Sequence, residues 1–295
     1  MFQQAFKPAQ DFIWRNARLL DRHLFVHLFQ HGSAGPIVQA VKAYQNSDGG
    51  FGSAIEPDNR GPDGQPIAAE MALRYLAACG ALTDPFVQRE MLLPLCDWLE
   101  SVTTAEGGVP FVLPSANAYP HTPWMGTADD YPPAGFNPTA SITGFLFMAG
   151  VQHPWLVKAA SYCWRIIDAA PANDYHSMLT EMFFLENVPD RSRARPALTA
   201  LVERARQPGM IELDPDAGGY VHKPLDWAAQ PSSIFRPLFD QATIKLHLSH
   251  LAQRQQPDGG WPITWTTVSP GAELEWRGKV TIEALVTLQA YEYEG

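Results

Sequence analysis

Apolar and polar positions along the chain separate into two kinds of helical segment. Residues 66–80 (PIAAEMALRYLAACG), 137–150 (NPTASITGFLFMAG), 174–188 (DYHSMLTEMFFLENV) and 278–293 (GKVTIEALVTLQAYEY) are apolar almost all the way round, the mark of a helix with neighbours on both sides. Residues 84–100 and 190–207 instead set a charged face against an apolar one, as a helix with one side in water does. Pro66 and Asn137-Pro138 stand at helix starts, where a missing N–H costs nothing, and both segments end at a glycine. Alternating positions are confined to short β-like pieces at 109–113 and 261–268. The pattern predicts an all-α chain in which inner and outer helices alternate.

Glycine pairs punctuate this series at 49–50, 107–108, 218–219 and 259–260. Two of them sit in one repeated phrase, YQNSDGGF (44–51) and RQQPDGGW (254–261). The spacing suits a repeat on the order of 40 to 60 residues, room for a helix pair, with a degenerate junction at 168–176 (DAAPANDYH). Asp48 and Asp258 read as turn residues that bond nearby backbone. Helix pairs in such a series close into an α/α toroid, expected as one domain over 1–295, with every inner helix starting at one rim. The segments leading into inner helices, 52–65, 109–136, 220–239 and 261–278, are long, and long connections tend to carry function.

The repeated QxxDGG-aromatic phrase on a helix-pair period resembles the QW-type repeats of the terpenoid cyclase and protein prenyltransferase superfamily, in particular the bacterial prenyltransferase and squalene-oxidase repeat proteins. The resemblance covers the two ends well and the middle weakly. It implies an α/α toroid with a central apolar cavity and an isoprenoid or similar apolar chain as substrate, cyclised or isomerised after protonation. It does not carry the catalytic motifs across. Thr127-Ala128-Asp129-Asp130 lacks the leading aspartate of DxDD, Asp129-Asp130-Tyr131-Pro132-Pro133 fails the last position of DDxxD, and no aspartate, cysteine and histidine cluster as a prenyltransferase zinc site would.

Composition narrows the rest. A net charge of −10 argues against a nucleic-acid partner. The N-terminal sequence lacks a basic segment followed by an apolar run, and the most apolar stretch is too short to cross a bilayer, so a cytoplasmic protein without a transmembrane segment is expected. Cys79, Cys96 and Cys163 lie apart in helical segments and read as buried thiols. His247 and His250 read as solvent-facing on their helix, and neither metal nor cofactor is expected.

Candidate chemistry sits in the long connections. Glu56, Asp58 and Asp63 crowd one loop with Arg60, an arrangement that separates an acid from a base; Asp58 and Asp63 are the leading acids, with Asp129 and Asp130 behind them. His121, Trp124 and Tyr131 in the second loop, and Trp265, Glu275, Trp276 and Arg277 in the last, are candidate substrate contacts, since indole faces stabilise a carbocation. Tryptophans beside carboxylates also suit a glycan, so a glycosidase, lyase or epimerase is the alternative. A non-catalytic toroid that binds a lipid is the third reading, and a packed pair of tryptophans with a Glu275–Arg277 bridge is the structural one.

Overall fold

The computed structural model describes residues 1–292; Tyr293, at the end of the expected helix 278–293, lies outside them. About 59% of the chain is helical, in α1 (Phe2–Asn16), α2 (Leu19–Gln30), α3 (Gly35–Lys42), α4 (Pro66–Ala78), α5 (Pro85–Val87), a π turn Gln88–Leu92, α6 (Leu93–Ser101), α7 (Phe136–Met148), α8 (Pro154–Ala169), α9 (Tyr175–Asn187), α10 (Arg191–Ala205), α11 (Pro224–Trp227), α12 (Gln241–Gln253) and α13 (Pro270–Glu292). Among the described residues there is no strand, only two isolated bridges, Gln45 to Phe51 and Asn59 to His121. The β-like pieces at 109–113 and 261–268 are therefore not strands. Their leading N–H groups go to threonine hydroxyls on the following helices, Val109 to Thr139 at 3.0 Å and Trp261 to Thr281 at 3.0 Å, which satisfies the extended backbone without a ladder.

The chain divides into two compact units, residues 26–198 and residues 1–25 with 199–295. In the first, α4 packs on α7 and α7 on α9. These are three of the helices read as apolar all round, and residues 138–146 of α7 are buried without a break. Gly144 lets the backbones close up, for a Cβ there would stand 2.9 Å from Phe183. Phe145 and Phe183 meet beside it with ring centroids 4.1 Å apart. Helices α4 and α7 end as their glycines require: Gly80 and Gly150 take positive φ, and Ala81 and Val151 return an N–H to Leu76 and Leu146.

In the second unit α1 packs on α13, α11 on α12 and α12 on α13. Helix α13 starts at Pro270, not near 278. Glu273, Glu275, Trp276 and Arg277 therefore sit on a helix and not in the connection that sequence spacing suggested, because Ser269 caps the backbone there through Ala272 N–H. His247 also departs from expectation. It is buried, and its Nε2 contacts the Leu213 carbonyl at 3.1 Å, since the segment ahead of α11 folds over α12. Burial pushes the imidazole below its ordinary pKa.

The repeated glycine turn has one geometry at three places. Asn46, Thr104 and Gln256 each donate their N–H to the second glycine's carbonyl, and each accepts the N–H of the first glycine. Asp48 and Asp258 accept from the N–H of Gly50 and Gly260 at 2.9 and 3.0 Å, the turn role read from sequence. Each turn docks on a second helix. A Cβ on Gly49 would overlap the Pro94 carbonyl of α6, and one on Gly259 the Pro8 carbonyl of α1, with the carbonyl carbon 2.5 Å away in both cases. The second glycine then lies flat on a ring one helical turn further on: Trp98 for Gly50, Phe12 for Gly260, Tyr162 for Gly108. Proline has a part in this. Having no N–H, Pro94 cannot bond the carbonyl of Glu90, which Lys42 takes at 2.6 Å. The Gln45 amide reaches Met91 O, three residues before Pro94, and Gln255 reaches Ala5 O, three before Pro8, both at 2.9 Å. Gly218-Gly219 does not belong to the series: no atom stands within 4 Å of a Cβ built at either glycine, so this pair does not dock as the other three do.

Arg277 fastens the last turn to α13. Its Nη2 meets Asp258 at 2.8 Å, its Nε donates to Trp261 O, and its guanidinium covers Phe12 at 4.6 Å. The expected Glu275–Arg277 bridge is thus replaced by Arg277–Asp258, because residues 275 and 277 point to different sides of a helix. Burial acts to raise the Asp258 carboxyl, but the Arg277 bond and charge and the Gly260 N–H outweigh it and hold the group below its ordinary 3.8. A carboxyl lowered on folding adds stability above 3.8 that disappears as pH falls through the lower, folded value. In urea unfolding across pH 2 to 6, Asp258→Asn is expected to flatten the acid limb of the stability curve; an unchanged limb would show that this pair does not couple to folding.

Candidate active site

Two long connections of the first unit are knitted together, and the knot buries carboxyl groups. The chain leaves the 44–51 turn through Gly52, where any Cβ would meet the Asp63 carbonyl carbon at 2.8 Å. Ser53 and Ala54 follow at φ 54° and 61°, left-handed values that side chains disfavour and that mark a held backbone. The loop then closes on itself through Ser53 N–H to Gly61 O at 2.9 Å. Inside it, Glu56 Oε2 accepts Asp58 N–H and Asn59 Oδ1 accepts Gly61 N–H.

The second connection crosses this loop. Thr122 donates its N–H to Asp58 O, and Arg60 donates its own to Pro120 O. The Gln65 amide spans the two, accepting from Leu113 N–H at 2.7 Å and donating to Ser115 Oγ at 2.9 Å. The indole N–H of Trp124 donates to Asp58 Oδ2 at 3.2 Å. Asp58 is left 2% exposed and Glu56 3%. The second connection also packs an apolar cluster against the start of α4, Val112, Ala116 and Met125 with Ile67 and Phe111. Ile67 also borders a cavity of about 10 Å³ shared with Glu56, Asn59 and Gln65. Asn59 Nδ2, beside this cavity, and Thr122 Oγ1, in the second connection, are buried without a protein partner.

The structure thus brings together Glu56, Asp58, Arg60, His121 and Trp124 from the residues that sequence singled out. Asp63, although five residues from Asp58, faces solvent. Asp129 and Asp130 are exposed as well, Asp129 accepting the N–H of Tyr131, whose side chain is 90% exposed. Trp265, Glu275, Trp276 and Arg277 belong to the other unit. There Trp265 and Trp276 meet edge to face at 5.2 Å, and Trp265 Nε1 is buried without an acceptor.

A further polar group escaped the sequence reading. Glu70 of α4 is buried and bonded to Arg74 at 2.7 Å, with the guanidinium 5.9 Å from the Phe145 ring. Both charges lie near His176 of α9, which burial above all keeps below its ordinary pKa, against the pull of Asp174 and Glu70. Glu181 of α9 is fully buried. A Glu–Arg pair at i, i+4 on an otherwise apolar helix is the signal that was there to be used. The three thiols are buried as expected, and burial pushes Cys96 up to about 12, so no reactive thiolate is offered. Among the described residues no group of three His, Cys, Asp or Glu side chains is placed to hold a metal ion, and no helix is long and apolar enough to cross a membrane.

No family model and no curated protein matches the chain. Solved structures do. A protein from Actinoplanes superposes with a TM-score of 0.59 at 16% identity, over 98% of this chain and 100% of that one. The type II terpene cyclase MstE from Scytonema, solved with its substrate geranylgeranyl dihydroxybenzoate, superposes with a TM-score of 0.52 at 12% identity, over 98% of both chains. Identities this low speak for fold alone: the chain has the all-α fold of the α/α toroid class to which the terpene cyclase belongs.

Proposed function

We propose that the protein is a terpenoid cyclase-like enzyme in which Asp58 protonates an isoprenoid chain. The observation that carries this reading is the burial of Asp58 at the knot of two connections, with an indole on its carboxyl. Acid-initiated chemistry needs a carboxyl that still holds its proton when the alkene arrives, and removal from water is what favours the neutral form. Of the five candidate carboxyls only Glu56 and Asp58 are removed from water. Of the two, Asp58 is taken as the donor because the indole of Trp124, the aromatic of the second connection, rests on its carboxyl. In the proposed step the Asp58 O–H bond breaks, a C–H bond forms at the alkene terminus, and the cation is stabilised by the face of Trp124. Loss of a proton from the cyclised cation leaves a product isomeric with its substrate. The likeness to a cyclase that binds geranylgeranyl dihydroxybenzoate supports a prenylated aromatic acid as the first probe.

The test is incubation with farnesyl and geranylgeranyl chains, free and attached to a hydroxybenzoate, in heavy water. The expected product has the substrate's formula, fewer alkene protons and one deuterium at the former chain terminus. Product without deuterium, or loss of a diphosphate as the first event, would overturn the assignment.

A further inference from the structure

Asp58 is 2% exposed, so in this conformation its carboxyl is closed off from solvent and from an entering chain. Some cover has to move. Around Asp58 the backbone is fixed: its N–H goes to Glu56 and its carbonyl accepts Thr122 N–H. The second connection is fixed too. Asn117 and Thr127 exchange two hydrogen bonds across the base of residues 117–127, at 2.6 and 3.1 Å. Met125 N–H bonds Thr122 O, and the Met125 side chain is packed with Val112 and Ala116. Between these anchors lies Trp124, on the short turn Pro123–Met125, with its side chain 45% exposed while its N–H rests on Asp58 Oδ2. Half in solvent, it is a group in contact with Asp58 that can leave without breaking these anchors.

We propose that Trp124 is a movable cover on Asp58, which opens by rotation of the indole alone, the backbone of both connections staying pinned. The closed form holds Asp58 away from water and engages Oδ2. The open form exposes the carboxyl to whatever enters, and the displaced indole remains close enough to present its face to a cation. The inference concerns access to the acid of the reading above.

Its test does not need turnover, so the two can fail separately. Carboxyl labelling with a water-soluble carbodiimide and an amine, read peptide by peptide in the mass spectrometer, reports access to Asp58 directly. In the wild-type protein Asp129 and Asp130 are expected to label fast and Asp58 slowly. In Trp124→Ala, Asp58 is expected to label about tenfold faster, while Glu70 and Glu181 stay protected. Trp124→Phe, which keeps a ring but removes the N–H, should give a smaller rise. Wild-type labelling of Asp58 as fast as that of Asp129, or an unchanged rate in Trp124→Ala, overturns the cover. Should Trp124→Ala expose Glu181 as well, Trp124→Phe decides: a rise at Asp58 with Glu181 protected supports the proposal, and no rise overturns it.

Discussion

Gly259→Ala is expected to lower stability by about 3 kcal/mol or more, read as a shift of the denaturant midpoint at unchanged slope. Two independent costs add at this position. Gly259 has φ 94°, where an L side chain costs about 1–2 kcal/mol. The added methyl would also overlap the Pro8 carbonyl of α1, which is backbone and cannot rotate away; forcing extra volume into a packed contact costs about 1–3 kcal/mol. Gly80→Ala supplies the comparison. Gly80 also has positive φ, at 68°, but no atom stands within 4 Å of its built Cβ, so the backbone term of about 1 kcal/mol acts alone. Equal losses in the two variants would mean that the repeated turn does not dock as described. Gly49 faces Pro94 in the same way and is expected to follow Gly259.

Asp58→Asn is expected to abolish most turnover, by about a hundredfold to ten-thousandfold, the usual contribution of a positioned acid, while leaving the fold intact. The amide is the same size as the carboxyl, and its oxygen can still accept the Trp124 N–H that Asp58 Oδ2 accepts now. What it lacks is an acidic proton. Asp63→Asn, on the exposed edge of the same loop, is expected to leave turnover little changed, because Asp63 lies outside the knot that buries Asp58 under Trp124. Comparing the two variants with unfolding midpoints for each separates chemistry from folding. Turnover that survives Asp58→Asn in a folded protein would remove the acid from the proposed mechanism, and retention in Asp58→Asn with loss in Asp63→Asn would move it.

Much of the scaffold was readable because it rests on local rules. Helices α4, α7 and α9 show as apolar runs between a proline or capping residue and a stop, and all three lie where the pattern put them. Asp48 and Asp258 read as turn residues, and each bonds the N–H two residues on. What the phrase QxxDGG could not reveal is its partner. The proline and the ring that receive each glycine pair lie about 45 residues ahead for Gly49 and some 250 behind for Gly259, and no spacing rule links them. The start of α13 was misplaced for a similar reason: Ser269 caps it, but Trp265, Trp276 and the nearby charges looked like loop chemistry.

The candidate site divides along the same line. Crowding of Glu56, Asp58, Arg60 and Asp63 in one loop was visible in the chain, as was the indole of Trp124 in another. Which carboxyl would be buried was not. Asp58 and Asp63 are equivalent to any local rule, and the difference arises because Thr122 and Trp124 close over one of them while the other faces solvent. By itself the sequence determined helices α4, α7 and α9, the two QxxDGG turns and the set of candidate acids, since periodicity and backbone preference act over a few residues. The tertiary structure alone decided which acid leaves water and what covers it, since burial is set by residues far apart in the chain that meet only once it has folded.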